Sequence, residues 1–318
     1  MAVVSIIIPN YNGAKYLADC IDSCINQGDC VREVIIVDDH STDHSLSILK
    51  EYRSEYPELI QFYTNPGKGA CAARNFGYLK STGDFIQFLD SDDVLAPEKI
   101  RSQLNILHSM NYKDVLIHGM WGRFKDHFDN VYYWGPHESI RKDLKPADWL
   151  IANHMSMTGC WLTHRNLIKK GGLWDETLMR NQDGEFYSRL MLHASKVLFC
   201  AQAKVHYRSG NSGSVSSIVA RPAMESLLKS LQLIENYIFS LEESPRARLS
   251  IADRYQDFVY ANYIANPDLA LFAESKVEEL GGSNLKLPGG IMLKFLAAAL
   301  GWKKALTIKK LITSSANS

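Results

Sequence analysis

The hydrophobic positions in the first third of the chain follow two alternating patterns, which together predict an α/β fold. Short apolar runs of strand length lie at residues 3–8, 34–37, 60–63 and 84–89. Between these runs, apolar residues recur at helical spacing. The helices that this spacing predicts cover about residues 14–27, 45–56 and 70–80, and a fourth begins at Pro97. Strands separated by helices form βαβ units, so we expect a mainly parallel central sheet with helices on both faces.

The pattern changes after Met120 and then predicts shorter elements. These are a hairpin over residues 121–134 that turns at Asp129-Asn130, a strand over 157–162 and a short helix over 183–193. Beyond a polar loop at residues 209–217, the apolar spacing is helical to about residue 280. We therefore predict an α/β domain over residues 1–219 and a helical C-terminal region over residues 220–318.

Charge is balanced over the whole chain but not along it. The 318 residues contain 35 Lys and Arg and 35 Asp and Glu, which gives no electrostatic reason to expect nucleic acid as a partner. From Gly282 onward there are six lysines and no acidic residue. Residues 287–312 combine these lysines with apolar stretches and Trp302. This segment is either a basic amphipathic helix in peripheral contact with an anionic membrane or a helix packed on the protein with its lysines in solvent.

The N-terminus and the cysteines predict a cytoplasmic location, at most peripheral at the inner face of the cell membrane. The first residues lack the basic flank of a signal peptide, and Pro9 comes too early for its apolar core. No apolar run reaches the ~18 residues that a membrane-spanning helix needs. The six cysteines show no paired CxxC spacing, so we expect buried, reduced thiols.

Polar clusters directly follow the predicted strands. They are Pro9-Asn10-Tyr11-Asn12, Asp38-Asp39, Gly67-Lys68-Gly69 and Asp90-Ser91-Asp92-Asp93. Ligands of open parallel sheets bind at the carboxyl ends of the strands, where these clusters should meet. The three carboxylates of the last cluster repel one another unless a cation lies among them, and oxygen ligands suit Mg²⁺ or Mn²⁺. The alternative interpretation of these clusters is helix capping and solvated turns.

Three segments together resemble the family 2 glycosyltransferases, which have a GT-A fold. They are VSIIIPNYNGAKYL, VIIVDDHSTDHS and GKGACAARNFGYLKSTGDFIQFLDSDD. The resemblance covers roughly residues 3–215 and implies a nucleotide-sugar-binding half over residues 1–120 and an acceptor half over 121–219. It implies inverting transfer, aided by Mn²⁺ or Mg²⁺, from a nucleotide diphosphate sugar, preferably a UDP-sugar. The implied acceptor is a carbohydrate or a lipid-linked saccharide, as in cell-surface polysaccharide or glycolipid synthesis.

The resemblance also implies roles for individual residues. Those that would bind the nucleotide sugar are Pro9, Tyr11, Asn12, Asp39, Lys68, Arg74, Asp90 and Asp92. Asp92 and Asp93 would hold the metal, and Asp183 would be the general base that takes the acceptor proton. Gln182 stands where the family usually has Glu, and Asp175 is a second candidate base.

Other features leave alternatives open. The family often has a metal-binding His shortly after a Tyr-Arg pair, whereas Tyr207-Arg208 is followed here by Ser209; His206 should point to the opposite face of its strand from Tyr207. Five tryptophans in the predicted acceptor half could stack on sugar rings or belong to the core. They are Trp121, Trp134, Trp149, Trp161 and Trp174. A nucleotidyltransferase that forms sugar nucleotides, or a non-catalytic sugar-nucleotide binder, are the competing functions.

Overall fold

The computed structural model describes residues 3–110, 114–125, 131–135, 137–210 and 220–315. The chain divides into two compact units, Met1–Ile218 and Val219–Ser318. Among the described residues, nine strands form one sheet in the first unit. In chain order they are β1 Val4–Asn10, β2 Val31–Asp38, β3 Ile60–Thr64, β4 Phe85–Phe88, β5 Val94–Leu95, β6 Val115–Phe124, β7 Tyr132–Gly135, β8 Leu162–His164 and β9 Lys196–Arg208.

In the first unit the helices lie between strands along the chain. In the second unit the structure describes helices and no strands. The first unit contains α1 Leu17–Ile25, α2 Ser45–Glu55, α3 Gly69–Lys80, α4 Lys99–Met110, α5 Pro146–Ile151, α6 Arg165–Gly171 and α7 Gln182–Met191. The second contains α8 Arg221–Leu241, α9 Pro245–Asn262, α10 Pro267–Glu279, α11 Ile291–Leu300 and α12 Trp302–Ser315. The predicted α/β fold with a helical C-terminal region is confirmed.

The strand order is β3-β2-β1-β4-β8-β6-β9-β5, with β7 paired to β6. Strands β1 to β4 pair in parallel, as do β6 and β9. Strand β8 runs antiparallel to both β4 and β6, and β5 runs antiparallel to β9. The predicted parallel arrangement therefore holds for the first four strands, while the second half is mixed. Hydrophobic period locates strands but does not give their direction.

Both faces of the parallel half are buried, which explains its continuous apolar runs. On one face, Ile6 and Ile8 belong to a large core cluster that includes Leu17 of α1. On the other face, Ile35 and Val37 pack against Ala73 of α3. Gly77 permits the close approach of α3 to β1, because a Cβ at this position would lie 2.5 Å from Ile7 Cγ2.

In the second half of the sheet, the predicted hairpin is present and the strand predicted over residues 157–162 is not. The predicted hairpin is present as the antiparallel pair β6–β7, although its predicted turn at Asp129-Asn130 lies outside the described residues. The strand predicted over residues 157–162 is wrong. Thr158–Cys160 forms a 3₁₀ turn instead, and the strand begins afterwards, at Leu162. All six cysteines are unpaired, as predicted, and five of them are buried.

Helices are the only regular secondary structure among the described residues of the second unit. Leu287, Leu293 of α11 and Ala305 of α12 form a small core cluster, against which Tyr260 and Trp302 pack. Trp302 contacts the rings of both Tyr260 and Tyr263 of the same unit. Over the part of the chain that the structure describes, no helix has both the length and the apolar content needed to cross a membrane.

Candidate active site

Asp38 ties together the loops that follow β1 and β2. Its side chain is almost fully buried and accepts hydrogen bonds from Asn10 Nδ2 (2.8 Å) and from the Ser41 hydroxyl (2.6 Å). Asn12 joins the same loops, since its side-chain oxygen accepts from the backbone N–H of Thr42 (2.8 Å). Pro9 is buried in β1 beside them. Asp38 therefore acts as a structural clamp that positions its neighbours on the rim of the sheet.

Asp39 is placed differently, at the N-terminus of α3. Its Oδ2 accepts from the backbone N–H of Gly69 (2.8 Å) and its Oδ1 from Asn65 Nδ2 (2.7 Å). A helix N-terminus favours a negative charge, and this carboxylate is partly exposed there. Each carboxylate oxygen can accept more than one hydrogen bond, which leaves capacity for a ligand N–H or hydroxyl. Lys68 before the helix and Tyr11 after β1 are exposed at the same rim.

Arg74 joins the end of β4 to the beginning of α7. Its Nη2 donates to Asp90 Oδ1 (2.7 Å), and its Nη1 donates to Gln182 Oε1 (3.3 Å). The guanidinium also stacks on the Trp174 ring, 4.5 Å from its centre. The Arg74 side chain is buried, whereas that of Asp90 is 37% exposed. Gln182 thus keeps a contact with the cation although it lacks the charge of the usual Glu.

The acidic cluster after β4 contains carboxylates in unlike environments. Asp90 and Asp92 are partly exposed, while Asp93 is 2% exposed and its Oδ1 accepts from the backbone N–H of Arg208 (3.0 Å). Burial raises the pKa of Asp93 well above its ordinary value, and the charges of Asp92 and Asp90 raise it further. The three carboxylates therefore lie close enough to repel one another, as expected where a cation binds.

The carboxylate oxygens of this cluster suit a divalent metal ion whose remaining ligands come from water and the substrate. Among the described residues, no group of three or more His, Cys, Asp or Glu side chains is arranged to hold an ion. Mg²⁺ is commonly bound by one or two protein carboxylates together with water and substrate phosphates. Asp92, with Asp93 or Asp90 beside it, supplies a set of that size. The assignment of Asp92 and Asp93 to the metal remains a prediction.

Arg208 organises the acidic cluster, a role that was not predicted. Its Nε donates to the carbonyl oxygen of Asp92 (3.0 Å), and its Nη2 donates to Asp19 Oδ2 (2.7 Å). The buried guanidinium also packs against the rings of Tyr16 and Phe124. The Tyr207-Arg208 pair was the available signal. Its neighbour His206 hydrogen-bonds to the Tyr133 hydroxyl, on the strand face opposite to Tyr207.

Asp183 lies in the first turn of α7, where its Oδ1 accepts from the backbone N–H of Gly184 (2.9 Å). Burial raises the pKa of Asp183 above its ordinary value, the charge of Arg74 lowers it and that of Asp90 raises it. Asp183 is thus within electrostatic reach of both members of the Arg74–Asp90 ion pair. The second candidate base, Asp175, instead uses its Oδ1 to accept from Thr177, closing a local turn.

The tryptophans of the second half divide into core residues and one exposed ring. Those with 3% exposure or less are Trp121, Trp149, Trp161 and Trp174. Trp134 is 41% exposed, and the Arg123 guanidinium lies over it at 5.0 Å. Only Trp134 of the five thus offers an aromatic face of useful size to a ligand.

Comparison with known proteins identifies the family of this chain. The family description "Glycosyl transferase family 2" matches residues 5–172, more than half of the chain. The chain therefore belongs to glycosyltransferase family 2.

Two curated relatives illustrate the sequence similarity. An uncharacterized glycosyltransferase of Rickettsia typhi is 32% identical over 62% of this chain and 61% of its own length. The minor teichoic acid biosynthesis protein GgaB of Bacillus subtilis is 30% identical over 68% of this chain but 24% of its own length. The chain thus spans less than two thirds of either relative.

Two solved structures show the fold. S. aureus TarS 1–349 in complex with UDP-GlcNAc has a TM-score of 0.72 at 17% identity, covering 97% of this chain and 92% of that one. The mannosyltransferase PcManGT from Pyrobaculum calidifontis, in complex with GDP-Man and Mn²⁺, has a TM-score of 0.57 at 15% identity, covering 100% and 81%. At such identities the likeness concerns the fold alone, and the predicted GT-A type fold is confirmed.

Proposed function

We propose that this glycosyltransferase moves a sugar, with inversion, from a nucleotide diphosphate sugar to an acceptor hydroxyl. The observation that carries the proposal is the Arg74 bridge. Arg74 binds Asp90 at the end of β4 and Gln182 beside Asp183, so a donor-binding rim and a candidate base share one cation. A single displacement needs the bound donor and a base for the acceptor hydroxyl at the same reacting centre.

The donor would bind along the rim formed by the ends of β1, β2 and β4. Asp39 would accept from the nucleobase or the ribose, while Tyr11 and Pro9 line the pocket and Lys68 approaches the phosphates. UDP-sugars are the preferred donors, supported by the UDP-GlcNAc complex of TarS. Because PcManGT binds GDP-Man, the donor panel described below also includes sugars carried by other nucleotides.

Asp92 and Asp93 would hold Mn²⁺ or Mg²⁺, with Asp90 beside them. When bound, the ion would neutralise the diphosphate leaving group as a Lewis acid. Support comes from the oxygen-only donor set, from the mutual repulsion of the carboxylates and from the Mn²⁺ in the PcManGT complex. Arg208 would keep the loop in place through the backbone oxygen of Asp92.

Asp183 would act as the general base. It takes the proton from the acceptor hydroxyl as that oxygen bonds to the anomeric carbon, while the bond from this carbon to the diphosphate breaks. The raised pKa makes Asp183 a better proton acceptor than an ordinary aspartate, and Arg74 helps to keep it ionised before reaction.

The acceptor would be a carbohydrate or lipid-linked saccharide in the synthesis of a cell-surface polymer. The named role of GgaB in minor teichoic acid biosynthesis supports this class. Trp134 with Arg123 provides an exposed aromatic face in the predicted acceptor half, which suits the apolar face of a sugar ring.

Donor hydrolysis with a panel of UDP-, GDP- and dTDP-sugars, with and without Mn²⁺ or Mg²⁺, tests the proposal. We expect nucleotide release from one donor that requires metal. Asp183→Asn should lower turnover by about 10²- to 10⁴-fold while donor affinity changes little. Asp175→Asn is the matched control, since this acid closes a turn nearby and should leave turnover within about twofold.

Other outcomes would identify the competing functions. Donor binding without turnover, even with a broad acceptor panel, would indicate a non-catalytic binder. Release of pyrophosphate from a nucleoside triphosphate and a sugar 1-phosphate would indicate a nucleotidyltransferase. Equal turnover by Asp183→Asn and the control would reject Asp183 as the base.

A further inference from the structure

Helix α11 carries apolar side chains on two opposite sides. Leu293 faces inward and belongs to the cluster with Leu287 and Ala305. Ile291, Met292 and Phe295 are 90%, 70% and 73% exposed. At about 100° per residue, these three side chains project into one arc of the helix roughly opposite Leu293. A helix that is apolar all round is normally buried, whereas the residues that the structure describes leave the outer face of α11 uncovered.

The segment that contains this face carries charged side chains of one sign. From Gly282 onward the chain contains six lysines and no acidic residue. Lys294 borders the exposed apolar arc, and its long stem can lie along an apolar surface while its charge stays in water. Lys303 pairs with Glu274 (2.7 Å) and so attaches α12 to α10. A segment that combines exposed apolar residues with lysines and contains no acidic residue matches an anionic lipid surface.

The position of Trp302 changes the expectation from the sequence. An interfacial position of this ring was one of the two alternatives from the sequence, but the ring packs against Tyr260 and Tyr263. It therefore attaches α12 to α9, and the exposed large apolar side chains nearest in the chain are those of α11. Phe295 is the exposed aromatic residue of that helix.

We propose that α11 lies in the interface of an anionic phospholipid bilayer. Ile291, Met292 and Phe295 would insert among the upper acyl chains, and the lysines would lie at the headgroups. Ten residues of helix are about 15 Å long, enough to lie in the interface and too short to cross the bilayer. The contact is independent of the sugar-transfer chemistry and would be reversible.

A second copy of the chain fits this face less well. Three large side chains offer less than the about 800 Å² per partner of a stable protein interface. Two such faces would also bring positively charged segments together, because both carry the same lysines. An anionic bilayer meets neither objection.

Co-sedimentation of the full chain with vesicles tests the apolar part of the proposal. We expect binding to phosphatidylcholine vesicles that contain phosphatidylglycerol, and much weaker binding to phosphatidylcholine alone. Phe295→Glu should weaken the binding by at least about tenfold. Leu79→Glu is the matched control, because Leu79 of α3 is 68% exposed and lies in the other unit. It should bind like the unchanged chain.

The electrostatic part has its own variant pair. Lys294→Glu should weaken binding to the anionic vesicles by about fivefold or more and reduce its sensitivity to salt, because Lys294 borders the exposed apolar arc. Lys50→Glu, at an exposed position of α2, makes the same charge change elsewhere and should have little effect. Thermal unfolding of each variant shows that the fold is retained.

Three results would overturn the proposal. The first is equal, weak sedimentation of the full chain with both kinds of vesicle. The second is equal binding by Phe295→Glu and Leu79→Glu. The third is a lipid-independent dimer in sedimentation velocity that Phe295→Glu abolishes, without vesicle binding, which would make this face a contact between two copies.

Discussion

Two buried arginines connect the halves of the first unit, and they do so in opposite directions. Arg74 extends from a helix of the parallel half, and its guanidinium binds side chains, those of Asp90 and Gln182. Arg208 ends the last strand of the mixed half, and two of its hydrogen bonds go to backbone oxygens, those of Asp92 and Lys125. The side chains that Arg74 binds can reorient toward a ligand. The backbone segments that Arg208 binds are fixed in position.

The difference suggests a division of labour. The Arg74 region joins partly exposed groups that can rearrange around a donor, so its loss should mainly affect turnover. The Arg208 region fixes the path of the acidic loop, so its loss should mainly affect stability. The following predictions test this division, beginning with the largest expected effect.

Arg208→Met should lower the free energy of unfolding by about 3 kcal/mol, because the carbonyls of Asp92 and Lys125 lose their buried partner. Urea denaturation measures this change. Arg123→Met, at an exposed arginine of the neighbouring strand, is the control and should stay within about 0.5 kcal/mol. A stable Arg208→Met protein with abolished donor turnover would reverse the proposed division.

Arg74→Met should lower kcat/KM for the donor by about a hundredfold, or about 2.7 kcal/mol, because a fixed positive charge beside the reacting groups is lost. The exposed Asp90 partner can be solvated, so the loss of stability should be the smaller effect. Lys80→Met removes a cation from the exposed end of the same helix and serves as control. Equal activity of the two variants would contradict the role of Arg74.

Lys99 is a third buried basic side chain, but unlike Arg74 and Arg208 it has no hydrogen bond to a carboxylate among those described. It is fully buried, and its described hydrogen bonds go to two neutral oxygens, Gln87 Oε1 and the carbonyl of Trp161. Burial lowers the pKa of Lys99 to about 7, below its unfolded value of about 10.4. Between these values the unfolded state holds the proton and the folded state does not, so stability rises with pH.

We therefore expect the free energy of unfolding to increase by about 2 kcal/mol between about pH 7 and pH 9. Lys99→Met should lose this increase, whereas Lys50→Met at an exposed position should retain it. Denaturation across that pH range measures the difference. Parallel pH profiles for both variants would show that Lys99 stays charged in the fold.

The adjacent acids Asp38 and Asp39 give the smallest contrast. Asp39→Asn should weaken nucleotide binding by about tenfold, through loss of a charge-assisted hydrogen bond, with little change in stability. Asp38→Asn should instead lower stability by about 1 kcal/mol, because its carboxylate clamps Asn10 and Ser41. Calorimetric titration with UDP and thermal unfolding separate the two effects; the reverse pattern would exchange their roles.

The sequence predicted the parallel half of the sheet and the rim at its strand ends. The apolar runs and the polar residues after them are local signals, so the acidic cluster after β4 could be located directly. Period-two alternation alone did not distinguish the structural role of Asp38 from the exposed role of Asp39. That distinction depends on Asn65 and Gly69, which reach Asp39 from the next βα connection.

The mixed half was less predictable because its contacts are long-range. Arg208 reaches Asp19, 189 positions away along the chain. Arg74 reaches Gln182 across 108 positions. No local pattern encodes such pairings, and the direction of β8 has no local signature either. Asp183 was proposed as the base only through resemblance to the family, since an acid in the first turn of a helix is ordinarily a cap.

Gly77 has a consequence for any survey of sequence variants of this protein. It lies on the same helix as Arg74, one turn further on, where a methyl group would collide with Ile7. A substitution there would push α3 off the sheet and draw the guanidinium away from Asp90. Saturation mutagenesis scored by growth would then rank a buried glycine among the residues that we propose to bind the donor. A variant that displaces α3 and a variant that removes a functional side chain would give the same phenotype. A smaller residue at position 7 should rescue only the variant of Gly77.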